Sequence, residues 1–156
     1  MCTEVLSGLF AVHMERGQPR KGGLKVDTYG FLHKGYVKKT VTAVTHASSP
    51  YALTANQSGQ VFTTTGAGAS VTFNLPSVTA ATDLGLEYIF VKLTAYNLVV
   101  HAAAGDIIAD SAATGNVQNT TAAETYATLT LICVSNSGAS TNWAIAPGAH
   151  GTWTTT

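Results

Sequence analysis

A strong β-strand signal lies near the end of the chain, where residues 126–134 read YATLTLICV. β-Branched and aromatic side chains of this kind favour strands, and the turn-forming residues 135–142, SNSGASTN, follow directly. Residues 143–146, WAIA, then resume the apolar pattern and stop before Pro147, at a strand end where a missing N–H costs little. The stretch predicts two antiparallel strands joined by a hairpin loop.

Further strand candidates precede this hairpin at short intervals. Residues 60–64 and 70–75 flank the glycine-rich turn 65–69, and the second run alternates apolar with polar side chains, which predicts a half-buried hairpin strand. Residues 86–94 are more apolar and predict a strand buried on both faces, while 98–102 predict another strand. Turn signals recur roughly every ten residues, so we expect an all-β fold, an antiparallel β-sandwich or jelly-roll-like body.

The N-terminal part of the chain differs in composition from this body. Residues 1–48 are basic and contain the turn or linker 17–23, GQPRKGG. Residues 25–32 and 36–45 predict a further hairpin. We therefore predict two regions, a basic N-terminal arm and hairpin for docking at 1–48 and the sandwich body at 49–156.

The composition is poor in charge, with 46% hydrophobic and only 10% charged residues. An ordinary soluble domain has roughly 25% charged residues. Protein surface that is buried against partners is depleted in charge, so the deficit indicates that other subunits cover much of this surface. A secreted, threonine-rich β domain is the alternative reading of the same composition.

The few charges are unevenly distributed, although the net charge of the chain is zero. Residues 1–40 hold seven bases and three acids, a net charge of +4, and the rest of the chain holds one base and five acids, a net charge of −4. A basic segment on a faintly acidic body predicts an arm that docks on an acidic surface, on nucleic acid or on a neighbouring body. A solvated basic strand pair without a dedicated partner is the alternative. The candidate docking residues are Arg16, Arg20, Lys21, Lys25, Lys34, Lys38 and Lys39.

Recognisable catalytic motifs are missing from the sequence. The turn Gly66-Ala-Gly68 lacks the third glycine and the lysine of a nucleotide-binding loop, and the five histidines lack zinc-site spacing. His101, Asp106 and Asp110 are the one carboxylate–imidazole group that merits weighing, but isolated acids in loops are usually solvated. We predict no enzymatic activity, no cofactor and no metal site.

Two other partner classes are weighed and set aside. Nucleic-acid binding is the strongest chemical alternative because of the basic cluster, yet only Tyr29, Phe31 and Tyr36 are interleaved with it, too few for a stacking platform. No run approaches the roughly 20 apolar residues of a membrane helix, and the N-terminus does not have the pattern of a signal peptide. We therefore expect neither a nucleic-acid nor a membrane partner, and assembly in the cytoplasm.

The body also resembles a known family. The matching stretches are LTANQSGQVFT at 53–63, GASVTFNLP at 68–76, YIFV at 88–91, NLVV at 97–100, GDII at 105–108, WAI at 143–145 and GTW at 151–153. Together they are similar to a module of tailed-bacteriophage virion proteins, found in capsid decoration (cement) proteins and in small fibre or spike domains. The resemblance covers roughly residues 50–156 and does not include residues 1–48.

The resemblance implies a structural, non-enzymatic virion protein. Its expected form is a homotrimer on the outer surface of the phage head, assembled in the host cytoplasm, where it stabilises contacts between subunits of the major capsid protein. A tail-fibre, spike or baseplate component is the alternative within the same family. A carbohydrate-binding β module is the alternative from another class, and it would require exposed aromatic side chains in one groove.

Overall fold

The computed structural model describes residues 25–26, 32–33, 38–78, 83–112, 114–137 and 140–156. The contacts between Cα atoms divide the chain between Lys38 and Lys39. Arg16, Arg20, Lys21 and Lys34 of the predicted docking set lie outside the described residues. The division falls ten residues before the boundary that the composition suggested, and residues 39–48 go with the body.

Short strands make up nearly all of the regular structure in the described residues. Two single-turn 3₁₀ helices, His46–Ser48 and Ala55–Gln57, lie between strands. The strands are β1 (Lys25–Val26), β2 (Leu32–His33), β3 (Val41–Ala43), β4 (Tyr51–Ala52), β5 (Val61–Thr63), β6 (Val71–Asn74), β7 (Glu87–Lys92), β8 (Leu98–His101), β9 (Ile107–Ile108), β10 (Asn116–Asn119), β11 (Ala127–Asn136), β12 (Thr141–Ile145) and β13 (Thr154–Thr155).

The body is an all-β sandwich, as predicted. One sheet has five strands in the order β13-β10-β8-β6-β4, and the other has six in the order β3-β5-β7-β11-β12-β9. Strands β1 and β2 pair with each other in the N-terminal part. Within the body the chain changes sheet at every connection except that between β11 and β12.

The sheets are mixed, where the sequence predicted antiparallel ones. Because the chain crosses the core between successive strands, alternate strands run the same way, and β3 with β5, β5 with β7, β4 with β6 and β6 with β8 pair in parallel. Parallel neighbours require a crossover connection, which here is supplied by a strand of the opposite sheet instead of a helix. A pattern of alternating burial identifies each strand but does not reveal in which sheet the next one lies.

Two predicted hairpins are therefore wrong, and one is confirmed. Residues 61–63 and 71–74 belong to opposite sheets, and Phe62 and Phe73 meet across the core with their ring centroids 5.8 Å apart. Residues 25–32 do not form the single strand that was predicted there, because β1 pairs antiparallel with β2, while β3 pairs with β5. Strands β11 and β12 form the predicted antiparallel hairpin, with a β-bulge between Cys133 and Ser135.

Aromatic side chains fill the space between the two sheets. Phe90 lies 5.0 Å from Phe73 and 6.0 Å from Phe62, measured between ring centroids, and Tyr88 lies 5.7 Å from Trp143. All five side chains are essentially inaccessible to solvent. Cutting such a buried ring back to alanine costs about 3–5 kcal/mol, so this cluster fixes the distance between the sheets.

Strand β7 shows how the sheets face outward. Its inward residues are buried, but Glu87, Ile89 and Val91 alternate with them and are only half-buried. The prediction of a strand buried on both faces is therefore wrong for the isolated chain. Ile89 and Val91 are nevertheless apolar although they face outward. These two side chains made the sequence resemble a strand that is buried on both faces.

Candidate interaction surfaces

The structure does not gather the predicted docking residues into one described site. Lys38 is exposed, and the backbone of Lys25 lies in β1. Lys39 belongs to the body, where its Nζ lies 3.5 Å from Oε1 of Glu87 on β7, with both side chains partly exposed. An exposed pair of this kind adds little to stability, so it matters here mainly because it neutralises Glu87. Docking by the basic residues stays a prediction.

The three residues of the weighed carboxylate–imidazole group differ in their burial. His101 is half-buried on β8, and Asp110 is exposed in the turn after β9. Asp106 is buried, and its Oδ1 accepts a hydrogen bond of 2.8 Å from the backbone N–H of Thr141, which holds the start of β12. Among the residues that the structure describes, no group of three His, Cys, Asp or Glu side chains is arranged to bind a metal ion. The visible role of Asp106 is structural.

A polar cluster that the sequence did not reveal closes one end of the sandwich. Lys92 is fully buried at the end of β7, and its Nζ donates hydrogen bonds to Oδ1 of Asn119, at 2.9 Å, and to the backbone oxygen of Thr121, at 2.5 Å. Glu124 accepts from Nδ2 of Asn119 at 2.6 Å, and from the N–H and Oγ1 of Thr152 at 2.6 and 2.7 Å. We call Lys92, Asn119, Thr121, Glu124 and Thr152 the Lys92 clasp.

The electrostatics of the clasp follow from its hydrogen bonds and burial. Burial lowers the pKa of Lys92, and the negative charge of Glu124 opposes that effect. The hydrogen bonds from the N–H and hydroxyl of Thr152, and then that from Asn119, lower the pKa of Glu124 from 4.5 to about 2. The clasp joins β7, β10 and the C-terminal segment. The signal in the sequence was a single lysine at an inward position of an otherwise apolar strand.

The outer face of the five-stranded sheet is polar. Its strands present alternating residues to the outside, and of these Val99 is the apolar exception near the centre. In register, Val99 lies between Thr72 and Gln118, and His101 lies between two asparagines. We call this surface the polar outer face; it comprises Thr72, Asn74, Val99, His101, Asn116 and Gln118.

The outer face of the six-stranded sheet has the opposite character. Val41, Val61 and Ile89 lie side by side across β3, β5 and β7. On β7 the next outward residue after Ile89 is Val91, and β11 and β9 contribute further isoleucines. We call this surface the apolar outer face; it comprises Val41, Val61, Ile89, Val91, Ile107 and Ile132.

Charge is almost absent from the apolar outer face. On the described strands of the six-stranded sheet, Glu87 is the one charged residue at an outward position, and Lys39 accompanies it. Most other outward residues of β11 and β12 are polar or small, and they include Thr128, Thr130, Asn142 and Ala144. At the margins of the sheet Val41 is 63% exposed and Val134, at the bulge of β11, is 53% exposed. The two sides of the sandwich therefore offer very different surfaces to a partner.

The chain matches no protein-family model and no curated protein sequence. Within the described part of the chain, no helix has the length and apolar character needed to cross a membrane.

Proposed function

We propose that this protein is a structural component of a tailed-phage virion, a capsid decoration protein that assembles as a homotrimer on the outer head surface and stabilises contacts between subunits of the major capsid protein. The observation that carries the proposal is the sandwich with one apolar, almost uncharged outer face. Such a face is characteristic of surface that is covered by protein in the assembled state. The resemblance of residues 50–156 to phage virion modules supplies the class of assembly.

The rigidity of the body suits a protein that bears load rather than one that turns over a substrate. The two sheets enclose an aromatic core, and the hydrogen bonds of the Lys92 clasp connect the C-terminal segment to β7. Short strands with paired backbone groups resist deformation without any catalytic group. A lattice of many identical weak contacts then converts modest affinity for each neighbour into stable attachment.

The basic N-terminal residues are the proposed docking element for the shell. Residues 1–40 carry a net charge of +4, and most of these charges precede the compact body that begins at Lys39. An extended chain advances about 3.3 Å per residue, so a segment of this length can cross a boundary between capsid subunits. Many weak contacts with an acidic shell surface offset the entropy lost when such a segment becomes ordered.

Binding to empty shells tests the proposed function. Purified protein is mixed with expanded heads of the phage that encodes it, prepared without the protein, and the heads are pelleted and the bound copies counted. We expect hundreds of copies per head, and deletion of residues 1–38 should reduce the occupancy at least tenfold. A handful of copies per particle would indicate a tail component instead, and no binding at all would contradict the proposal.

A further inference from the structure

We propose that Lys92 and Asn119 join spontaneously through an isopeptide bond, in which the side-chain amine of Lys92 replaces the amide nitrogen of Asn119 and ammonia is released. Glu124 is the catalytic residue of this reaction. The bond connects β7 of the six-stranded sheet to β10 of the five-stranded sheet. The inference goes beyond the proposed function and does not depend on it, because the reaction involves this chain alone and each chain reacts once.

The nucleophile and the carbon that it attacks are close together in the Lys92 clasp. Nζ of Lys92 lies 2.9 Å from Oδ1 of Asn119. Because a C=O bond is about 1.23 Å long, Nζ lies at most about 4.1 Å from Cγ of Asn119. Reacting atoms in a near-attack arrangement are about 3–3.5 Å apart, so a small movement of the lysine side chain is sufficient. Two groups held in this way within one folded chain react as if they were at a very high local concentration.

Three hydrogen bonds determine which way the amide of Asn119 points. Its Oδ1 accepts from Nζ of Lys92, and its Nδ2 donates to Oε2 of Glu124 at 2.6 Å and to the backbone oxygen of Thr152 at 3.0 Å. An amide turned the other way would place its oxygen against the carboxylate, where no hydrogen is available. The carbonyl group therefore faces the attacking amine, and the leaving nitrogen faces Glu124.

The surroundings of Lys92 favour its neutral, nucleophilic form. The side chains of Lys92 and Asn119 are both inaccessible to solvent. The two acceptors of Nζ are neutral oxygens, one of the Asn119 amide and one of the Thr121 backbone. An ammonium group is costly to bury against neutral partners, and burial lowers the pKa of Lys92, although the charge of Glu124 opposes this effect. Removal of water from a lysine in this way is a recognised means of activating it as a nucleophile.

The reaction is balanced without an oxidant, a cofactor or a second substrate. The lone pair of the neutral Nζ forms a bond to Cγ of Asn119, so that Cγ carries both nitrogens. Glu124, which contacts Nδ2, then accepts a proton from Nζ and donates it to Nδ2. The bond between Cγ and Nδ2 breaks, its electron pair leaves with the nitrogen as ammonia, and Glu124 regains its carboxylate form.

Gly151 closes the site over the carboxylate and the leaving nitrogen. A Cβ atom added at this residue would lie 2.9 Å from Oε2 of Glu124 and 3.2 Å from Nδ2 of Asn119. The backbone therefore packs too closely here for a larger residue, and it shields the amide from water that would otherwise compete with the amine. Glu124 itself is half-buried, so the ammonia is released on the side of the site that is nearest to solvent.

The mass of the intact, denatured wild-type protein tests the inference. We expect a mass about 17 Da below that of the sequence, because formation of the covalent bond expels one ammonia. No variant is needed for this measurement, so it does not depend on the folding of a mutant. A mass equal to that of the sequence would overturn the inference.

Digestion with trypsin shows where the ammonia was lost. Lys92 is the last lysine or arginine of the sequence, and trypsin cuts only after a free basic side chain. We expect residues 40–156 of the denatured wild-type protein to stay in one fragment, whereas an unmodified chain gives 40–92 and 93–156. Loss of ammonia together with complete cleavage after Lys92 would place the reaction at another asparagine and overturn the inference.

Three variants that keep Lys92 test the roles of its partners. Asn119→Ala removes the carbon that is attacked, and Glu124→Gln removes the group that moves the proton, so we expect the sequence mass from the first and conversion at least tenfold slower from the second. Asn116→Ala is the matched control, because it removes an amide from an outward position of the same strand, and it should lose ammonia like the wild type. Conversion of Glu124→Gln at the wild-type rate, or loss of ammonia from Asn119→Ala, would contradict the proposed chemistry.

Discussion

Glu124 is the residue whose ionisation is most strongly coupled to the fold. Its carboxylate accepts three hydrogen bonds within the Lys92 clasp, and its pKa falls from 4.5 to about 2. The unfolded chain therefore takes up a proton near pH 4.5, while the folded chain keeps the carboxylate ionised until about pH 2. The stabilisation due to Glu124 is complete above pH 4.5 and is lost as the pH falls through this window.

A conservative substitution isolates this contribution. Glu124→Gln keeps an acceptor oxygen for the clasp but cannot titrate. We expect the wild-type protein to lose stability between pH 4.5 and about 2 more steeply than the variant, and to be the more stable of the two at pH 7. Urea unfolding at a series of pH values measures both. Parallel curves for the two proteins would show that Glu124 does not contribute in this way.

The limits of sequence reasoning are clearest at this scale. Cys133 lies in the apolar run 126–134, which predicts a small buried side chain, and the structure confirms that it is buried. The partners of Lys92 and Asp106 could not be predicted, because Asn119, Thr121 and Thr141 are brought to them only by the arrangement of the strands. Alternation in sequence reports which way a side chain points but not which residue it meets.

At the scale of single elements, the turn between β5 and β6 offers a test of backbone geometry. Gly66 has a φ of 73°, in the left-handed region, whereas Gly68 does not, and a Cβ atom added at either position would meet nothing within 4 Å. The two glycines therefore differ in their backbone φ angle and not in the space available for a side chain. Gly66 is therefore needed for its φ angle alone.

The two alanine variants of this turn should behave differently. We expect Gly66→Ala to lower the free energy of unfolding by about 1–2 kcal/mol, because an L-residue is strained at this φ angle. Gly68→Ala should be neutral or stabilising by up to about 1 kcal/mol, because it restricts the unfolded chain. Urea midpoints measured side by side decide the matter, and equal midpoints would contradict this account of the turn.

The same turn explains why the pairing of strands was predicted incorrectly. Residues 65–69 have the composition of a hairpin loop, yet they carry the chain from the six-stranded sheet to the five-stranded one. By contrast, residues 137–140 join β11 and β12 within one sheet, as predicted. Both loops contain glycine and small residues, so local turn chemistry does not distinguish a hairpin from a crossing. The strand positions and the all-β class were predictable, but the order within the sheets was not.

At the scale of the whole molecule, the distribution of charge and apolar surface gives the clearest indication of function. The low charge of the composition predicted a covered surface, and the structure shows an apolar, nearly neutral outer face on one side of the sandwich. Which side would be apolar could not be predicted, because outward and inward isoleucines look alike in the sequence. Ile89 and Ile132 are recognised as outward residues only because their chain neighbours Phe90 and Leu131 are buried in the core.

The mass of the intact protein in solution tests the central claim that this body is built to be covered by its own copies. Sedimentation equilibrium of the full-length chain over a range of micromolar concentrations gives that mass directly. We predict three chains of 16.1 kDa each as the main species. A single chain of 16.1 kDa at every concentration would contradict the account.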